Sequence, residues 1–158
     1  MFENVLVCLD GSKVSEAILP YLAAEAASFR KAVLLKVVDT AGVNLPLGVP
    51  GISGGQFRTA GQDRRFQKEM EEMPGYLEKM AGPLREKGFD VETVVLEGVP
   101  SEAIIAYARD NGIGLIAMAT HGHSGLRQVV MGGTAEYIVK HAGLPVLLVT
   151  PPKPAPER

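Results

Sequence analysis

The sequence predicts an α/β domain built on an open, mostly parallel five-stranded sheet with helices on both faces. Three observations lead there. Five short apolar runs recur along the chain, helical patterns separate them, and most of the runs are continuously apolar and β-branched rather than alternating. Strands of that composition are covered on both faces, the state of a parallel sheet flanked by helices. The chain has 158 residues, 46% of them hydrophobic and 22% charged, enough to bury a full core without disulfides or a structural metal.

The elements follow in order. The first strand is "VLVCLD", residues 5 to 10. A helix is expected from Ser12 to about Arg30, with Ser12 as N-cap and Val14, Ala17, Ile18, Tyr21 and Leu22 at helical spacing. Pro20 should bend it or delay its regular start. The second strand is "AVLLKVVD", 32 to 39. The stretch 40–61 is rich in Gly and Pro, lacks periodicity and reads as a mobile loop, long enough to act as a lid or partner surface. From Asp63 to Lys87, the residues Phe66, Met70, Met73, Leu77, Met80 and Leu84 alternate steps of four and three, one stripe on one helix. A Met-rich stripe can bind a partner, but a helix of an α/β domain must show such a stripe anyway, and cover for the sheet is the reading adopted. Pro74 and Pro83 should kink this helix without moving the stripe.

The third strand is "VETVVLEG", 91 to 98, followed by a helix from Ser101 to about Asp110 with Ser101 as N-cap. The fourth strand is "LIAMAT", 115 to 120. A last helix should begin near Gly133 or Thr134 and end between His141 and Gly143, which places His141 in a final turn where partial positive charge is favourable. The fifth strand is "PVLLVT", 145 to 150. Residues 1–150 read as a single domain, and the proline-rich, charged tail 151–158 as disordered.

Composition narrows the function. A net charge of -2 and a pI near 5.9 argue against a surface made to neutralise nucleic-acid phosphates, while leaving room for one bound phosphate group. Cys8 is the only cysteine, so the chain can form neither an internal disulfide nor a Cys-rich zinc site, and a reducing compartment fits it. The start lacks a basic segment followed by a long apolar one, and no apolar run reaches the ~18 residues of a membrane span. A cytoplasmic location is expected, with no membrane and no nucleic-acid partner.

Open sheets of this kind bind ligands beyond the carboxyl ends of their strands, where the strand order reverses. Two segments fall at such ends: "LDGS" after the first strand, and "MATHGHSGLRQVVMGGTAEYIV", 118 to 139, with glycines at 122, 125, 132 and 133. Glycine lets the backbone approach a ligand and present successive N–H groups to an anion, and a helix start adds unpaired N–H groups and its dipole. Gly122 and Gly132 to Thr134 could thus converge on one polyphosphate; tight turns that bind nothing would use the same residues. Neither the Lys-containing phosphate loop nor the G-x-G-x-x-G turn of dinucleotide-binding domains is present. Asp10, at a central strand end, is a candidate ligand contact or an Asx turn capping the first helix. His121 and His123 are either solvated loop residues or contacts to phosphate and its metal. Cys8 reads as core.

The combination of "VLVCLDGS", "EGVPSEAIIAYA" and "LIAMATHGHSGLRQVVMGGTAEYIVKHAGLPVLLV" resembles the universal stress protein family over residues 3 to 150. Nucleotide-binding members of that family are similar in one pattern: a glycine, two residues, a second glycine, nine residues, then a glycine followed by Ser or Thr. Gly122 matches the second glycine, His123 to Met131 the spacer, and Gly132 the third. Ala119 stands in the first glycine's place, and Gly133 in that of the hydroxyl residue, with Thr134 one position later. Losing that hydroxyl removes a hydrogen bond of roughly 0.5 to 1.5 kcal/mol, up to ~3 with a charged partner.

The resemblance implies a Rossmann-like sheet of order 3-2-1-4-5 and a bound ATP with Mg or Mn bridging its phosphates. It places Leu9 and Asp10 at the nucleoside end, Val38 against the base, and Met118, Ala119, Gly122, His123, Gly132, Gly133 and Thr134 along the nucleotide. It also implies a homodimer through the last strand, where Val146, Leu147, Leu148 and Val149 form an exposed sheet edge bounded by Pro145 and Pro151. The function expected is a nucleotide-dependent stress-response switch with an unidentified protein partner, any ATP hydrolysis being slow or incidental. The alternative is a dimeric interaction module of the same fold that does not bind nucleotide. A hydrolase using Asp10 with His121 or His123 comes last.

Overall fold

A computed structural model describes residues 2–40, 60–120 and 132–151 of the chain. Five strands form one sheet: β1 (Phe2–Cys8), β2 (Phe29–Asp39), β3 (Asp90–Gly98), β4 (Leu115–Ala119) and β5 (Val146–Val149). Their order is β3-β2-β1-β4-β5, and all four pairings are parallel. The expected order 3-2-1-4-5 is therefore the observed one. Val5 of β1 stands opposite Ala32 of β2 and Leu115 of β4, so β1 lies in the middle of the sheet.

Parity along the strands divides the core in two. Val5, Val7, Leu9, Leu34 and Ala117 face one side, where they meet Ile18, Leu22, Leu77, Ala81 and Leu84 of the helices following β1 and β2. Leu6, Cys8, Val33, Leu35, Val37, Ile116 and Met118 face the other, against Ile104, Ala108, Ala135 and Ile138. These two buried faces explain the unbroken apolar runs of the inner strands. The edge strands β3 and β5 carry alternating and intermediate exposure instead.

The helix expected over Ser12 to Arg30 is not one helix. It is α1 (Lys13–Glu16), α2 (Leu19–Ala24) and a 3₁₀ turn (Ala26–Ser28), and β2 begins at Phe29, three residues before its expected start. Pro20 is the cause: it sits in the first turn of α2, where its missing N–H is harmless, and it lacks the N–H that would bond back to Glu16 and carry α1 into α2. Ser12 caps α1 as expected, accepting from the Ser15 N–H at 3.2 Å. By contrast, Ser101 is not a cap. Helix α4 (Pro100–Asp110) starts one residue earlier with Pro100 in its first turn and Val99 as a cap without a side-chain bond.

Helix α3 (Ala60–Glu86) runs unbroken through Pro74 and Pro83. Leu77 and Leu84 of its stripe are buried against β2 and β3, and Phe66, Met70, Met73 and Met80 are half-buried, so the stripe covers the sheet. Helix α5 (Gly133–His141) spans the expected range, and the His141 ring packs on Tyr137 with centroids 4.4 Å apart. The loop expected at 40–61 falls almost wholly on 41–59, and the tail on 152–158, outside the described residues.

Candidate functional site

The sheet order reverses between β1 and β4, and at their carboxyl ends lies a cavity of ≈ 710 Å³. That volume falls within the range of small-molecule sites, ~300–1,000 Å³. Leu9 and Asp10 line it from β1, Met118 and Ala119 from β4, and Gly132, Gly133 and Thr134 from the start of α5. Seven of the ten residues singled out from the sequence are thus brought to one cavity. Gly122 and His123 fall outside the described residues.

Val38 is placed differently from its expectation. It is buried beneath the sheet surface, and the residues of β2 on the cavity are Leu35, Lys36, Val37 and Asp39. Side chains alternate along a strand, so a one-residue shift exchanges the face presented to the cavity. Val37 shares parity with Leu35 and supplies the apolar wall together with Ile104 and Met118. Ser15, Thr120 and Cys8, all buried, also reach the cavity. The signal for Val37 was parity within "LLKVVD"; the signal for Lys36 was the one charge inside that run.

The turn after β1 is built residue by residue. Leu9 still bonds to β2, its N–H donating to the Leu35 carbonyl at 2.9 Å. Asp10 Oδ1 accepts from the Ser12 N–H at 2.8 Å, an Asx turn, while the Asp10 N–H donates to Ser15 Oγ at 3.2 Å. Ser15 Oγ in turn donates to the Ser12 carbonyl at 2.9 Å, which closes the set. Gly11 has φ of +91°, a left-handed conformation that side-chain-bearing residues rarely adopt. Asp10 therefore does hold an Asx turn, and it lines the cavity as well.

The electrostatics of this turn favour an ionised carboxylate. Burial raises the Asp10 carboxyl, but hydrogen bonds from Ser12 and Ser15 and the charge of Lys36 outweigh it and hold the group below its ordinary value. Cys8 behaves oppositely: burial alone pushes its thiol up to about 12, so it is a neutral wall of the cavity. At the opposite side, Gly132 precedes α5 with φ −55° and ψ 150° and no side-chain cap. Its carbonyl accepts the first helical bond, from the Glu136 N–H at 3.0 Å. The N–H groups of the first turn have no partner within the helix and sit at the cavity, a donor set suited to an anion.

No cluster of three or more His, Cys, Asp or Glu side chains that could hold a metal occurs among the described residues. The cavity thus offers two carboxylates, Asp10 and Asp39, the Lys36 ammonium, apolar walls and a helix start. No helix among the described residues is long and apolar enough to cross a membrane.

Fold and cavity define the class: an open parallel α/β protein with a cavity where its strand order reverses. The sequence match is more particular. Residues 1–150 match the model of the universal stress protein family, and the chain belongs to that family. It is 28% identical to universal stress protein MJ0577 of Methanocaldococcus jannaschii over 156 residues, covering 94% of this chain and 95% of that one. The solved structure of MJ0577 superimposes with a TM-score of 0.77 at 24% identity, over 98% of this chain and 99% of that one. Two further solved structures share the fold. A universal stress protein in complex with cAMP has a TM-score of 0.61 at 16% identity, covering 94% of this chain and 96% of that one. A family protein from Arabidopsis thaliana with AMP bound has 0.62 at 16% identity, covering 94% and 91%.

Proposed function

We propose that this protein binds an adenine nucleotide, ATP with Mg or Mn bridging its phosphates, and works as a nucleotide-dependent switch in a cytoplasmic stress response. The carrying observation is the convergence of the Asp10 turn, the apolar Val37–Ile104–Met118 wall and the open start of α5 on one cavity. Asp10 would meet the nucleoside, the wall the base, and Gly132 to Thr134 the phosphates, the divalent ion being held by the phosphates. The AMP and cAMP complexes of other family members support the ligand class. The residues present fit the group, and turnover of the nucleotide is no part of the reading.

Calorimetric titration with Mg-ATP, Mn-ATP and AMP tests it. Binding should release heat and raise the melting temperature, since ligand at ~100 times Kd adds about 2.7 kcal/mol to the folded state. No heat and no thermal shift at millimolar nucleotide would overturn it.

Ala119 and Gly133 favour a second reading, a dimeric interaction module without nucleotide. Ala119 lines the cavity with a methyl where the family pattern has glycine, and Gly133 brings no hydroxyl. In either reading we propose a homodimer through β5, whose Leu147 is 37% exposed on a sheet edge.

A further inference from the structure

Lys36 lies in the middle of "AVLLKVVD", between the buried Leu35 and Val37. Its side chain is only 11% exposed. Lysine at that depth requires partners, because the ammonium must replace its hydration. Its Nζ donates to the Asp10 main-chain carbonyl at 3.2 Å and stands 3.6 Å from a Glu69 carboxylate oxygen on α3. One ammonium on β2 therefore joins the turn after β1 to the long helix α3.

We propose that Lys36 is the positioning residue of the cavity, fastening the Asp10 turn to β2 and α3 so that the Asp10 carboxylate is held where a nucleoside meets it. The inference rests on the adenine-nucleotide reading and adds to it a residue outside the family pattern.

The local bonds among Asp10, Ser12 and Ser15 all lie within six residues, so they fix the shape of the turn and not its place over the sheet. Lys36 bridges 26 residues to supply that place. A second tether, the Tyr76 hydroxyl donating to Glu16 at 3.0 Å, holds the far side of α1 to α3. Met73 packs beneath the turn, its sulfur 3.8 Å from where a Cβ on Gly11 would lie. The charged and titratable groups around Asp10 are Lys13 and Glu16 on α1, Lys36 and Asp39 on β2, and Glu69 and Tyr76 on α3. Among them, Lys36 is the one charge that lowers the Asp10 carboxyl, adding to the larger effect of the hydrogen bonds from Ser12 and Ser15.

The variants Lys36→Met, Lys36→Arg and Glu69→Gln separate positioning from bulk structure. Carbonyl-detected NMR follows the Asp10 titration without ligand, and calorimetry follows AMP and ATP. Lys36→Met keeps the apolar stem, so it should fold, move the Asp10 midpoint upward and weaken AMP roughly tenfold, the scale of one lost charge-assisted hydrogen bond. Lys36→Arg should restore most of the affinity and keep the midpoint low; Glu69→Gln should weaken AMP less while leaving the midpoint close to that of the wild type. A folded Lys36→Met protein with both the Asp10 midpoint and the AMP affinity of the wild type overturns the proposal. If the wild type binds no adenine nucleotide but the Asp10 and Ser12 amides exchange faster with solvent in Lys36→Met than in the wild type, the clamp stands and the nucleotide reading falls.

Discussion

Cys8 shows how one buried side chain fixes its own chemistry. With its thiol pushed from 9.0 up to about 12, the thiolate fraction in the native protein is lower by about three decades. Alkylation by iodoacetamide at pH 8 should therefore run roughly a thousandfold slower in the folded protein than in urea. The same displacement sets a pH window. The unfolded thiol ionises near 9 while the folded one stays protonated, so Cys8 leaves stability intact below pH 9 and erodes it from there to about 12. Denaturant titrations of wild type and Cys8→Ala across that range should differ in slope. Gly133 offers a second test. A Cβ there would meet nothing within 4 Å, so Gly133→Ser should fold normally and tighten ATP by about ten- to a hundredfold through the restored hydroxyl. Gly132→Val also fits its backbone, whose φ is negative, but crowds the phosphate approach and should abolish binding. If calorimetry gives both variants wild-type affinity, the start of α5 is not the phosphate site. At this scale the sequence revealed which residue types gather, but not every contact. Val38 was one residue from the wall because Val37 and Val38 are both valine and both buried, so only the parity set by Leu35 and Lys36 separates them. Lys36 was legible only as a charge in an apolar run, since its partners lie 26 and 33 positions away.

Among the elements, α3 was the most legible and α1 with α2 the least, for one physical reason. Burial along α3 follows the stripe from Phe66 to Leu84, about five turns, so periodicity outweighs the prolines, and the helix persists. The segment before β2 is short, and there a single Pro20 decides where regular structure begins. Ser101 failed as a cap because Pro100, preorganised for the first helical position, took the start instead. Helix α3 also carries Gly75 and Gly82, each with open space where a Cβ would go. Neither has a positive φ, so alanine should fit without strain and reduce the freedom lost on folding. Gly75→Ala and Gly82→Ala should each add about 0.4–1 kcal/mol, additive in the double variant, with an unchanged urea slope. Destabilisation by either would mean that α3 needs its glycines for another contact.

For the molecule as a whole, the two-sided core was readable because parallel strands and their covering helices impose continuous apolar runs, whereas the strand order followed from the family resemblance. The edges are where association is decided. On β5, Val149 is 8% exposed and belongs to the core, whereas Leu147 is 37% exposed. A charge at Val149 would test folding; a charge at Leu147 tests pairing. Leu147→Asp should turn the proposed dimer into a folded monomer by light scattering, and a monomeric wild type at micromolar concentration would remove the β5 dimer.

The pairing of β1 with β4 has a consequence for how the protein is made. Val5 meets Leu115 across 110 residues of chain, so on the ribosome the central strand waits with one edge unsatisfied until that far partner emerges. At translation rates of ~5–20 residues per second the wait is roughly 6 to 22 seconds, a long exposure for a strand of this composition and a natural window for a chaperone. The cavity straddles the same seam. A ligand therefore cannot template the first half of the nascent chain; it can only lock the seam once β4 has closed it.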